Sequence, residues 1–85
     1  MSNQYNPDYV SPPGDTLREI LEERRISRPV LAKLIGFPLF MVNEIIEGKY
    51  PISPEIARRL EKILVKPTAE FWLERERLYR QKANQ

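Results

Sequence analysis

The chain has no cysteine and no histidine among its 85 residues. Without cysteine it forms no disulfide and offers no thiolate to a metal ion. Without histidine it lacks the commonest general base and a common metal ligand. The three glycines are too dispersed for a phosphate-binding loop. We therefore expect no enzyme activity, no cofactor, no metal and no small-molecule substrate.

Long apolar runs are also missing, because no stretch reaches the roughly 18 residues of a membrane-spanning helix. The N-terminus lacks the charged-then-apolar layout of a signal peptide. These features predict a cytoplasmic protein without a membrane partner. A chain this short buries only about 60% of the surface that its unfolded form exposes. Dimerisation is therefore an expected supplement to its stability.

The net charge of +2 is small, but the charges are unevenly distributed. Residues 1–50 carry 6 basic and 7 acidic side chains, whereas residues 51–85 carry 8 basic and 5 acidic ones. The basic surplus is expected to form either a solvated helix face or a phosphate-facing surface. Several carboxylates alternate with arginines and are predicted to be solvated i,i+4 partners, namely Glu22, Glu23, Glu74 and Glu76.

Apolar residues recur with the helical period, and capping residues divide the pattern into five helices. Helix 1 is expected over about residues 15–25, with Gly14 or Asp15 as its cap. The later caps and stops, in chain order, are Ser27, Gly36, Pro38, Gly48, Ser53 and Thr68. The predicted fold is all-α, with a flexible, extended N-terminal arm at residues 1–13 and one domain at residues 14–82.

Helix 5 carries two adjacent apolar rows, one through Phe71 and Leu78 and the other through Trp72 and Tyr79. Trp72 is expected to anchor the core between helices 1, 4 and 5, because a large aromatic side chain buries area that a small domain needs. Leu78 and Tyr79 are the predicted homodimer contacts.

Residues 31–46 place two short helical patterns around Gly36, with the small Ala32 where two helices would touch. This is the arrangement of a helix-turn-helix, expected over about residues 28–47. The positions that would face base edges in a DNA-binding version are Pro38, Leu39, Phe40, Asn43, Glu44 and Glu47.

Asn43 is the one standard base reader in that set, because its amide can pair bidentately with adenine. A solvent-facing or capping role for it stays open. Leu39 and Phe40 contact thymine methyl groups, the core or a protein partner. Phosphate contacts are expected from flanking side chains that also fit a plain surface role, namely Arg28, Lys33, Lys49 and Tyr50.

Five segments of the chain resemble the HigA-type antitoxins, which belong to the wider phage-repressor-like helix-turn-helix family. The match covers roughly residues 13–80 without an insertion, and several motifs at consistent spacing are more specific than one helix-turn-helix. The segments are PGDTLRE at 13–19, LAKLIG at 31–36, VNEIIEGK at 42–49, ISPEIARRL at 52–60 and PTAEFWL at 67–73.

The resemblance implies a dimeric, DNA-binding antitoxin that represses its own operator and neutralises a RelE-like ribonuclease toxin. The chain departs from the family at the start of helix 3, where residues 38–41 replace polar side chains, and at Arg28, where glutamine is common. The alternative is a helix-turn-helix scaffold that serves as a protein-interaction module with weak or no DNA binding.

A toxin-binding surface follows from the same resemblance, because RelE-like toxins are basic and helix 1 is acidic. The predicted contacts on helix 1 are Glu19 and Glu23. The arm contributes Tyr5 and Tyr9, sparse aromatic anchors between prolines that can order on binding. The competing interpretation is a frayed terminus beside an ordinary solvated helix.

Overall fold

Five helices and no strand make up residues 11–83, the part of the chain that the computed structural model describes. They are α1 (Pro13–Arg24), α2 (Arg28–Ile35), α3 (Leu39–Ile46), α4 (Pro54–Leu64) and α5 (Ala69–Ala83). The all-α, five-helix prediction is confirmed. Tyr5 and Tyr9, and with them most of the predicted arm, lie outside the described residues.

Three of the predicted N-caps make side-chain capping bonds. The Ser27 hydroxyl accepts a hydrogen bond from the backbone N–H of Val30 at 3.3 Å, and the Ser53 hydroxyl accepts one from Ile56 at 3.2 Å. Thr68 does the same three residues before Phe71. Each cap satisfies a first-turn N–H that has no partner within its own helix.

The start of α1 differs from the prediction. The helix begins at Pro13 rather than at about residue 15, and its N-cap is Pro12, which makes no side-chain capping bond. Proline suits the first helical position because its φ is already helical and the N–H it lacks would have no partner there. The proposed caps, Gly14 and Asp15, therefore lie inside the first turn.

The core lies where all five helices meet. Trp72 of α5 is completely buried, as predicted, and so are Leu31, Val42 and Leu60 from α2, α3 and α4. α5 packs on α4 and α1, whereas α3 packs on α2 and α1. The apolar row of α5 through Phe71 and Leu78 faces outward, because both side chains remain exposed.

Gly14 allows α1 to approach α3 at backbone distance. A Cβ atom at this position would lie 2.2 Å from the carbonyl oxygen of Ile46 and 2.4 Å from that of Ile45. Such distances are far below van der Waals contact, so only glycine fits here without moving a helix. The glycine therefore fixes where the C-terminal end of α3 lies.

α2 and α3 are joined by a tight turn and are bent by 111° relative to one another. Gly36 ends α2 in the left-handed conformation, with φ of 80°. Such a crossing angle is typical of a helix-turn-helix. Among the described residues no single helix is long and apolar enough to cross a membrane, and α2 and α3 meet a length and composition criterion only when joined across this bend.

Candidate nucleic-acid interface

The N-terminal end of α3 points its first two side chains outward. Leu39 is 41% exposed and Phe40 is 63% exposed, whereas Val42 and Ile45 are buried against the core. Pro38 is the N-cap and makes no side-chain capping bond. Because the apolar residues exceed what one buried face can hold, the helix presents an apolar surface at the end that a DNA-binding helix-turn-helix inserts into the major groove.

Arg28 and Asn43 form a pair between α2 and α3. A guanidinium Nη1 of Arg28 donates a hydrogen bond to Oδ1 of Asn43 at 3.0 Å. Arginine is only a donor, so this bond directs the amide oxygen of Asn43 toward Arg28 and leaves the NH₂ group for other partners. The oxygen retains a second lone pair. From the sequence, Arg28 was predicted as a phosphate contact and Asn43 as a base reader, with no contact between them. In the structure they are hydrogen-bonded.

The turn before α3 is held from α4 by Arg59. Its guanidinium donates to the carbonyl oxygen of Ile35 at 2.7 Å and lies 4.9 Å from the centroid of the Phe37 ring. The bond satisfies a carbonyl at the C-terminal end of α2, where a cation is also favoured by the helix dipole. Arg59 therefore fixes the direction in which Leu39 and Phe40 leave the turn.

A loop after α3 carries the predicted phosphate contacts Lys49 and Tyr50. The ammonium group of Lys49 lies 3.4 Å from a carboxylate oxygen of Glu47, and both side chains are exposed. Exposed pairs of this kind contribute little stability, so Lys49 can exchange this partner for a phosphate. Tyr50 is half-buried against the core, and Lys33 is exposed on α2.

The remaining predicted sites lie on α1 and α5. Glu19 and Glu23 are exposed on α1, whereas Arg18 lies within 4 Å of Asp15 and Glu22. On α5, Leu78 is exposed, and the partly buried Tyr79 is turned toward the loop after α3.

The prediction for Glu76 is half right, because its i,i+4 ion pair is present, with Arg80, but the side chain is not solvated. It is only 8% exposed, and one of its carboxylate oxygens accepts a hydrogen bond from the backbone N–H of Ile52 at 3.1 Å. A sequence signal was present, because Glu76 follows Trp72 by four residues and so shares its helix face. A carboxylate on a buried face needs partners, and Ile52 and Arg80 supply them.

Two short helices at 111° around a glycine turn, the second with its N-terminal end outward, define a helix-turn-helix protein of the phage-repressor-like class. No family model matches the chain. It is 35% identical over 74 residues to virulence-associated protein A of Dichelobacter nodosus, covering 86% of this chain and 70% of that one.

Solved structures give the family. The antitoxin HigA of Pseudomonas aeruginosa with the higBA promoter is similar at a TM-score of 0.83 and 30% identity, over 89% of this chain and 83% of the other. A HigA-family addiction module antidote protein from Coxiella burnetii gives 0.77 and 32%, over 87% and 80%. A Pseudomonas aeruginosa protein with its 18-bp operator DNA gives 0.81 and 30%, over 89% and 82%. The chain belongs to the HigA family of antitoxins.

Proposed function

We propose that the chain binds an operator near its own coding region through α3 and represses transcription of its own gene. The observation that carries this is the N-terminal end of α3, where Leu39 and Phe40 are exposed beside the Arg28–Asn43 pair. In a helix-turn-helix this end enters the major groove. Two structural neighbours carry promoter and operator DNA at 30% identity, which supports the same use of the fold here.

Base contacts and phosphate contacts are divided between different parts of this surface. Leu39 and Phe40 offer apolar contact to thymine methyl groups, and the amide of Asn43 offers hydrogen bonds to a base edge. Lys33, Lys49 and Tyr50 lie on flanking elements and reach phosphates, which supply most of the affinity and make it depend on salt. Such a surface binds DNA with few base-specific hydrogen bonds.

A reporter gene placed behind the DNA upstream of the chain's own reading frame tests this function. The intact chain is expected to repress the reporter, and an Asn43→Ala, Lys49→Ala double variant is expected to relieve repression. A chain with Arg77→Gln loses one positive charge on α5, outside α2 and α3, and should repress normally. Equal reporter output with and without the intact chain would refute autoregulation.

We propose a homodimer that includes the outer face of α5, because operator recognition by this motif uses two-fold pairs. Leu78, a predicted contact, lies seven residues from Phe71, and both are exposed, so they offer one apolar strip. Tyr79, the other predicted contact, is partly buried and faces the loop after α3, so it is available to a partner only in part. Light scattering should give twice the 10.1 kDa mass of one chain. Leu78→Asp should shift the mass to that of a monomer, whereas Val65→Asp, at an exposed site off α5, should not. A monomeric wild-type chain at tens of micromolar would contradict the dimer.

We propose that α1 binds a basic toxin of the RelE-like type. Glu19 and Glu23 are exposed, lie one turn apart and have no ion-pair partner within the described residues 11–83. Two exposed carboxylates on one helix turn attract a basic surface and speed its association. This role is not enzymatic: the antitoxin acts by occupying the toxin.

Co-expression and co-purification with the product of any adjacent reading frame that encodes a small basic protein tests the α1 surface. Glu19→Lys with Glu23→Lys should abolish co-purification and growth rescue, whereas Glu70→Lys, an exposed acidic residue on α5, should leave both unchanged. Removing residues 1–12 tests the arm separately. Co-purification that survives both the charge reversal and the truncation would place the toxin elsewhere.

The second candidate function is a protein-interaction module built on the same scaffold. The 63% exposure of Phe40 favours it, because an exposed aromatic side chain on a short helix is a typical protein contact. Phe40→Ser separates the two functions in the same assays. Loss of operator binding with retained co-purification supports the DNA-binding role, and the reverse result supports the interaction module.

A further inference from the structure

Two side chains of α5 hold the loop that follows α3. A carboxylate oxygen of Glu76 accepts a hydrogen bond from the backbone N–H of Ile52 at 3.1 Å. The guanidinium of Arg80 donates through Nε to the other Glu76 oxygen and through Nη2 to the carbonyl oxygen of Gly48 at 3.0 Å. The pair therefore anchors the loop by hydrogen bonds at both ends, at Gly48 and at Ile52.

Three residues lie between these two ends, Lys49, Tyr50 and Pro51, and the first two are the proposed phosphate contacts. Gly48 enters the loop with φ of 79°, and a Cβ atom there would lie 3.2 Å from the Tyr79 hydroxyl, so α5 is packed tightly against this backbone. Gripping both ends of a short loop restricts the positions that the side chains between them can occupy. Restriction before binding removes an ordering cost that the complex would otherwise bear.

We propose that Arg80 and Glu76 are positioning residues that hold Lys49 and Tyr50 ready for a phosphate of the DNA backbone. The proposal rests on the proposed operator-binding function. It assigns to α5 a role in DNA affinity without contact to DNA.

The test compares two charge-neutralising variants on the same helix in the full chain. Arg80→Gln breaks the bond to Gly48, whereas Arg77→Gln removes an arginine whose ion pair is with Glu74 in its own helix. We expect Arg80→Gln to weaken operator binding about tenfold and to reduce the slope of log affinity against log salt by about 1, the value of one phosphate contact. Arg77→Gln should change affinity less than about twofold.

A double variant separates positioning from direct contact. If Arg80 acts through Lys49, then Arg80→Gln in a Lys49→Ala background causes no further loss of salt slope. If the two losses add to about 2, Arg80 contacts a phosphate itself and the positioning role is wrong. Circular dichroism of each variant at the assay temperature shows whether the chain is folded. Glu76→Gln, which keeps an acceptor for Ile52, replaces Arg80→Gln if that variant unfolds.

Hydrogen exchange of the loop amides tests, without DNA, whether Glu76 and Arg80 restrict the motion of the loop. We expect the Ile52 and Tyr50 amides to exchange at least tenfold faster in Arg80→Gln than in Arg77→Gln, with unchanged exchange in the core of α4. If the wild-type chain binds no DNA but this acceleration is seen, operator binding fails while the grip on the loop stands. If exchange and salt slope of Arg80→Gln both match those of Arg77→Gln, the inference is overturned.

Discussion

Gly14→Ala is expected to lower the free energy of unfolding by about 3 kcal/mol, the upper end of the usual cost of overpacking. The added methyl group would lie 2.2 Å from the carbonyl oxygen of Ile46, an atom of the backbone that cannot rotate away as a side chain can. Relief requires α1 to move from α3, which opens the core around Leu17. Urea unfolding followed by circular dichroism measures the change.

The sign of this effect makes the prediction sharp. In an ordinary helix, replacing glycine by alanine stabilises by up to about 1 kcal/mol. Glu19→Ala, at an exposed position of the same helix, is the matched control and should change stability by less than about 0.5 kcal/mol. A Gly14→Ala chain as stable as the wild type would show that α1 and α3 are not in backbone contact.

Asn43→Ala is expected to cost about 1–3 kcal/mol of operator affinity, with the loss confined to one base pair. Arg28 holds the Asn43 amide at 3.0 Å, so Arg28→Ala should lose a large part of the same free energy. The double variant is then expected to bind about as well as the weaker single variant. The coupling free energy from this cycle should be at least about 1 kcal/mol.

Lys33→Ala provides the control for that cycle. Lys33 is an exposed basic residue on the same helix as Arg28. Its replacement should weaken binding to all DNA sequences alike, and this loss should add to that of Asn43→Ala. Binding isotherms of each protein variant, on the operator and on operators changed at a single base pair, give all the binding free energies of the cycle. Fully additive losses from Arg28→Ala and Asn43→Ala would mean that the two residues act independently.

Helix positions and their caps could be predicted because they depend on neighbouring residues in the chain. Three helices are capped by a hydroxyl that accepts a hydrogen bond from the backbone N–H three residues later, which is a local pattern. The capping residues are Ser27, Ser53 and Thr68. The burial of Trp72 was predictable too, since no other side chain of its size lies on the inner row of α5. α1 began two residues early because a proline at its first position needs no cap.

Contacts between distant segments could not be predicted in the same way. Arg24 donates to the carbonyl oxygens of Leu64 and Lys66, forty or more residues away, and Arg59 reaches the end of α2 from α4. A sequence shows these arginines only as solvated charges on helix faces. Their partners are backbone carbonyls, which every residue possesses and no residue type marks.

The proposed interface also has some features that could be predicted from the sequence and others that could not. The exposure of Leu39 and Phe40 could be predicted, because α3 contains more apolar residues than one buried face can hold. The Arg28–Asn43 bond could not, because it depends on how α2 and α3 cross and on the rotamers that the crossing allows.

Fluorescence anisotropy with the DNA immediately upstream of the chain's own reading frame tests the central claim most directly. The titration is run beside a shuffled duplex of the same composition and length, at about 0.15 M salt and at two higher concentrations. Operator recognition predicts affinity for the upstream DNA at least about 10³-fold above that for the shuffled duplex. The logarithm of the affinity should fall linearly with the logarithm of the salt concentration. Equal affinity for the two duplexes at every salt concentration would contradict it.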